Sequence, residues 1–303
     1  LDSPVPIITV LGMHRSGTSL CASVLQAMGV DMAEAAAPSP ENQRGHWERP
    51  RINDLNESVF AVFGRGWRSA AHVLALPEHW LGDARVQAVR RELAAWIAPR
   101  LGGAFPFGFK DPRTSRLLPL WRQVFADLNV VPRFVYCVRD PAQVARSVAA
   151  RDPFGRDQAE YRWLLYNAGG VAGVGDDPVC VVPYEAWFTD PVGVVCRLAD
   201  FLGLPPLDAR ALASVVDGAL RHDAAGVAPA RKLAARLHQR LLDCAGEPRF
   251  STDLCEFCGF VLEFEQLVQP LLVETEVLRA SVADQNRVIG DLNGLVRQLR
   301  AAA

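Results

Sequence analysis

An α/β fold three layers deep, with a parallel sheet flanked by helices and a helical, coiled-coil-like extension at the C-terminus, is what the 303-residue sequence predicts. Three observations lead there. Short apolar runs rich in β-branched residues alternate with segments whose apolar residues recur at helical spacing, the pattern of buried parallel strands joined by crossover helices. Three of the four runs stop at a polar cluster, as strands do where their carboxyl ends border a ligand crevice. Beyond about Phe257 the pattern changes to apolar residues at alternating steps of three and four. The division this predicts is an α/β domain over residues 1–220 and a helical extension over 221–303.

Ile7 to Leu11 forms the first strand and breaks at Gly12; Ser16-Gly17-Thr18-Ser19 then opens a helix carrying Leu20, Val24, Leu25 and Met28. Residues 34–50, with three prolines, form a loop. Helices follow from about Ile52 to Phe63 and over residues 83–98. Ala104 to Phe109 is the second strand, running into Lys110-Asp111-Pro112, with a helix from Ser115 to Leu128. Arg133 to Val138 is the third, running into Arg139-Asp140-Pro141 and another helix, and Val179 to Val182 is the fourth. Near the end, Leu271, Leu278, Val282, Ile289, Leu292, Val296 and Leu299 form a stripe interrupted only at Thr275 and Gln285. Roughly four heptads of this kind predict a long helix that pairs with a second copy as a homodimer, or else packs on its own domain.

With 50% hydrophobic and 22% charged residues the chain is globular, and a net charge of -2 excludes a globally basic nucleic-acid binder, so any anion site is local. No run reaches the roughly 18 uncharged apolar residues of a membrane span. The seven cysteines, an odd number set mostly in apolar stretches, point to reduced thiols and a cytoplasmic location. The chain opens Leu1-Asp2-Ser3 without a methionine, as a fragment would. Of 32 basic residues only Lys110 and Lys232 are lysines, so a lysine at a strand end stands out.

Two segments carry chemistry. Gly12-Met13-His14-Arg15-Ser16-Gly17-Thr18-Ser19 joins a strand to a helix, and its backbone N–H groups and the helix N-terminus suit a phosphate, with the hydroxyls of Ser16, Thr18 and Ser19 as further donors. A nucleotide kinase would carry Lys at position 18; here Thr18 stands there, with a cation three residues earlier at Arg15, so the loop is P-loop-like only. Arg139 and Ser147 form the second segment, a clamp for another phosphate if the turn between them folds back. Cys255-Glu256-Phe257-Cys258 has the spacing of half a zinc site but no second pair at finger spacing, which favours helical core cysteines over a metal.

Arg15-Ser16-Gly17-Thr18-Ser19 resembles the 5′-phosphosulfate loop of the sulfotransferase superfamily, and Arg139 with Ser147 resembles its 3′-phosphate motif. Val182-Pro183-Tyr184-Glu185-Ala186-Trp187 is similar to the superfamily's fourth-strand segment. Asn42-Gln43-Arg44-Gly45-His46-Trp47-Glu48 and Lys110-Asp111-Pro112-Arg113 look like bacterial carbohydrate-type members. The resemblance spans residues 7 to about 205. It implies 3′-phosphoadenosine 5′-phosphosulfate (PAPS) as donor, adenosine 3′,5′-bisphosphate (PAP) as product, no metal, and a sugar or glycoconjugate hydroxyl as acceptor. His14, Arg15, Ser16, Gly17, Thr18 and Ser19 would hold the 5′ end of the donor, Arg139 and Ser147 its 3′-phosphate. Arg15 and Lys110 would contact the sulfuryl oxygens and leaving phosphate. Cytosolic members place a His base two residues after the second-strand Lys, where this chain has Pro112. Glu48 takes the position of the glutamate base of other members, with a pKa raised by burial beside Trp47; His46, His14 and Asp111 are alternatives. Trp67, Trp163 and Tyr166 are candidates to stack on adenine, or else core aromatics. A P-loop kinase or NTPase with an altered loop, and an inactive nucleotide-binding scaffold, are the competing readings.

Overall fold

The computed structural model describes residues 5–33, 38, 45–67, 70–152, 154–205, 208–216, 228 and 230–302. Four parallel strands, β1 (Val5–Leu11), β2 (Gly108–Lys110), β3 (Val130–Val138) and β4 (Val179–Pro183), form one sheet in the order β2-β1-β3-β4. Side chains alternate across it. Ile8, Val10, Val135 and Cys137 face a core shared with α1 (Thr18–Ala27) and, later in the chain, α8 (Pro191–Leu202). Ile7, Leu11, Phe134, Tyr136 and Val138 face the larger core, covered by α2 (Pro50–Val62), α3 (Ala84–Ile97), α4 (Thr114–Asp127), α5 (Pro141–Arg151) and α6 (Arg156–Val174). Helices thus cover both faces of a buried parallel sheet, the three-layer α/β arrangement expected. The short helices α7 (Ala186–Thr189) and α9 (Ala209–Ala213) flank α8 in the chain.

Two elements depart from expectation. Regular pairing in β2 covers only Gly108–Lys110, because Pro106 brings no N–H to a ladder and Phe107 makes a single parallel bridge with Asp31. Helix α6 has no clear amphipathic stripe: Arg162, Trp163, Leu165, Tyr166, Asn167 and Ala168 are all buried, so its middle is enclosed and its helical period is blurred. Gly170 allows its close approach to the sheet, since a Cβ there would lie 2.5 Å from the Tyr136 hydroxyl.

The expected boundary at 220/221 lies outside the described residues. α10 (Lys232–Asp243) and the first turns of α11 (Thr252–Ala302) place Leu237, Leu241, Leu254 and Cys258 in the larger core. Cys258 is a core thiol whose pKa burial pushes up, and among the described residues no three His, Cys, Asp or Glu side chains are grouped to hold an ion. No described helix is long and apolar enough to cross a membrane.

Candidate active site

In a sheet ordered β2-β1-β3-β4, the connection leaving β1 leads to one side and that leaving β3 to the other, so a crevice opens between their carboxyl ends. The loop from Gly12 to Gly17 lies there. Its backbone has positive φ at Gly12 (129°), Arg15 (69°) and Gly17 (86°), which curls the chain tightly between β1 and α1. Gly17 offers α1 no side-chain cap, which leaves the helix N-terminus able to receive an anion. The Ser16 hydroxyl is buried with no hydrogen-bond partner, an orphan that an anion's oxygen would satisfy.

Neighbouring strands hold this loop. The Gly12 N–H donates to Ser115 Oγ at 3.2 Å, at the start of α4. A Cβ at Gly12 would lie 2.4 Å from the Cys137 carbonyl oxygen, and one at Gly17 2.6 Å from the Tyr184 ring. Gly12→Ala is therefore expected to lower stability by roughly 1–3 kcal/mol. In thermal unfolding this reads as a Tm fall of about 2–10 °C. An unchanged Tm would show that the loop backbone can rotate away from β3.

Arg139 and Ser147 come together at the loop. Asp140 caps α5, accepting from the Gln143 N–H at 3.0 Å, and Pro141 begins the helix, so the chain turns sharply after β3. Arg15 Nε donates to Ser147 Oγ at 2.8 Å, and an Arg139 guanidinium N–H donates to the Arg15 carbonyl at 3.3 Å. The Arg139 guanidinium also lies 4.0 Å from the centroid of the Tyr184 ring, the ring that packs on Gly17. Residues 132 positions apart thus share one cationic corner.

A second corner forms at β2. Lys110, 2% exposed, points its ammonium at Ser19 Oγ (3.3 Å) and pairs with the Glu48 carboxylate. The cation that a kinase carries in its loop reaches this loop from another strand. Asn53 also donates to Glu48. The expected rise in the Glu48 pKa does not occur. Burial pushes the carboxyl up, but the Lys110 ammonium, with Arg113 and the Asn53 hydrogen bond, outweighs it and holds Glu48 below its ordinary value.

Arg49, next in the chain, secures this position by donating to the Gly108 carbonyl at 3.1 Å and pairing with Asp31 at 2.8 Å. Asp111 is fully buried, accepting from Asn56 at 2.8 Å and Arg113 at 2.8 Å, and burial raises its pKa. With no exposed surface it positions Arg113 and α2 rather than meeting an acceptor.

His14 does not join the anion-facing groups. Its ring lies 4.3 Å from Trp67 and 5.9 Å from Tyr166, and its buried Nε2 has no hydrogen-bond partner. Burial, with Arg113, Arg151 and Lys110 nearby, holds it neutral, well below the usual histidine pKa. His46 is half-buried two residues before Glu48. Gly17, Thr18 and Ser19 form the loop's exit into α1. Of the adenine candidates, Trp163 and Tyr166 are completely buried, donating to the Arg139 carbonyl (3.1 Å) and sharing a hydrogen bond with His72 (3.0 Å), so neither has a free face. Trp67 is half-buried against His14, with its Nε1 donating to Asp152 at 3.1 Å.

A glycine-shaped loop at the switch point, cations arriving from β2 and β3, and a carboxylate beside one of them make a site suited to an anionic group. The sequence profile of the Sulfotransferase family matches residues 6–209, and the chain belongs to that family, whose reaction is sulfuryl transfer. Solved structures similar to it include the sulfotransferase domain of the Synechococcus PCC 7002 olefin synthase, at 16% identity and a TM-score of 0.45, over 86% of this chain and 96% of that one. The sulfotransferase domain from the curacin biosynthetic pathway aligns at 18% identity and 0.45, over 84% and 90%. A sulfotransferase from Mycobacterium avium aligns at 15% and 0.40, over 71% and 67%. Among curated proteins, none matches the chain.

Proposed function

We propose that this protein transfers a sulfuryl group from PAPS to a hydroxyl of a sugar or glycoconjugate. The observation that supports the donor is the meeting of Arg139 and Ser147 with Arg15 beside the orphaned Ser16 hydroxyl: two anion-binding elements side by side, as a nucleotide with phosphates at both ends requires. The loop amides and Ser16, Thr18 and Ser19 bind the 5′ end, and Arg139 and Ser147 the 3′-phosphate. The acceptor class rests on the likeness of Gly45 to Glu48 and Lys110 to Arg113 to carbohydrate-type members.

Glu48 takes the proton from the acceptor hydroxyl as its oxygen bonds to sulfur. The bond between sulfur and the bridging phosphate oxygen breaks, and its electron pair stays on the 5′-phosphate. Lys110, Arg15 and the loop amides stabilise that charge, the task that dominates transfer of this kind. The products are the sulfate ester, PAP and a protonated Glu48.

Calorimetry with PAP and 5′-AMP tests the donor. PAP is expected to bind about 10–100-fold more tightly, the worth of charge-assisted hydrogen bonds to the extra phosphate. Arg139→Ala and Ser147→Ala are each expected to shrink that difference, with far-ultraviolet circular dichroism showing that the fold is kept. Equal affinity of the wild type for both ligands would overturn the 3′-phosphate assignment. Donor-dependent sulfate incorporation into lipopolysaccharide, capsule and small-molecule fractions would identify the acceptor, and labelling confined to non-carbohydrate material would reject the sugar class.

A further inference from the structure

The apolar stripe on the second half of α11 is exposed to solvent at its described residues. Up to Gln269 the helix is tied to the domain: Leu254, Cys258 and Val261 are buried, Glu265 accepts from the Ala75 N–H, and Gln269 donates to the Ala75 carbonyl at 3.0 Å. Pro270 then removes one backbone donor. Beyond it, Leu271, Leu278, Val282, Ile289, Leu292 and Val296 are between 44% and 63% exposed, although the helix continues to Ala302. The sequence alternative that this stripe packs on its own domain does not hold for these residues.

We infer that residues 271–299 form a parallel two-stranded coiled coil with a second copy of the chain. Steps of four and three assign Leu271, Leu278 and Leu292 to heptad position d and Val282, Ile289 and Val296 to position a. A β-branched residue at a with leucine at d is the combination that two parallel strands favour over three or four. Thr275 falls at a and Gln285 at d, so in parallel register each would meet its own copy, and Gln285 would penalise out-of-register pairing. On the outer face, Asp284 and Arg287 pair along the helix at 2.5 Å, a surface made for water. Pairing removes on the order of 1,200 Å² of largely apolar surface from the two seams, the size at which specific interfaces become stable.

Sedimentation equilibrium on the full chain at micromolar concentration is expected to give a dimer. Leu278→Glu combined with Ile289→Glu is expected to raise Kd by more than about 100-fold, while Val277→Glu, off the seam at position c, leaves it unchanged. These positions are exposed in the monomer, so the far-ultraviolet circular dichroism of the domain should not change. With the exposed Cys196 replaced by Ser, Leu292→Cys is expected to form a disulfide-linked dimer on oxidation, because parallel strands set each d residue beside its own copy. A wild-type monomer, a trimer, a dimer that survives the seam double variant, or a Leu292→Cys chain that does not cross-link to itself would each overturn the inference.

Discussion

Glu48→Gln is expected to lower kcat by about 10²–10⁴-fold while leaving PAP affinity unchanged. Glutamine keeps the size of the side chain and the hydrogen bond from Asn53, but it cannot take a proton. The pH profile carries the sharper test. A base must be ionised, so activity falls as pH drops through its pKa. In the free enzyme Lys110 holds that value below the ordinary glutamate range, and the acid limb of kcat/KM should lie at lower pH than an ordinary glutamate would give. Once anionic donor oxygens share the Lys110 ammonium, burial regains weight, and the acid limb of kcat should lie at higher pH than that of kcat/KM. Near-normal kcat in the Gln variant would move the role to His46 or His14.

Removing the partner cation should be nearly as damaging. Lys110→Ala is expected to cost about 10²–10³-fold in kcat, the usual effect of losing one group that stabilises charge developing in the transition state. It also leaves the burial of Glu48 offset only by Arg113 and Asn53, so the acid limb of kcat/KM should move up in pH. A purely structural role would lower activity without moving the limb. Lys110→Arg should not rescue, because a guanidinium is too broad for a 2%-exposed position wedged between Ser19 and Glu48. A kcat within threefold of wild type in the Ala variant would remove Lys110 from the chemistry.

The parts legible in the sequence are those where composition changes abruptly. Apolar runs that stop at Gly12, Lys110 and Arg139 mark the strand ends, and the candidate site residues lie at or just beyond them. Helix α6 was hidden because burial of its middle, with glycines inside it, blurs the helical period on which the reading depends. The Glu48–Lys110 pair joins residues 62 apart in the chain, and no local pattern reveals that a carboxylate expected to be raised by burial will have a cation beside it. Trp163 and Tyr166 show the same limit, since aromatic identity alone does not say whether a ring face meets solvent or core. Convergence of Arg139 and Ser147 required a tight turn, and Asp140-Pro141 was the signal for it.

Arg49 gives the position of Glu48 a mechanical basis. Its guanidinium fastens the chain next to Glu48 to the edge of the sheet, through Gly108 and Asp31, so the Glu48 carboxylate takes its coordinates from the scaffold. The register of Glu48 against Lys110 is thereby set at the edge of the sheet.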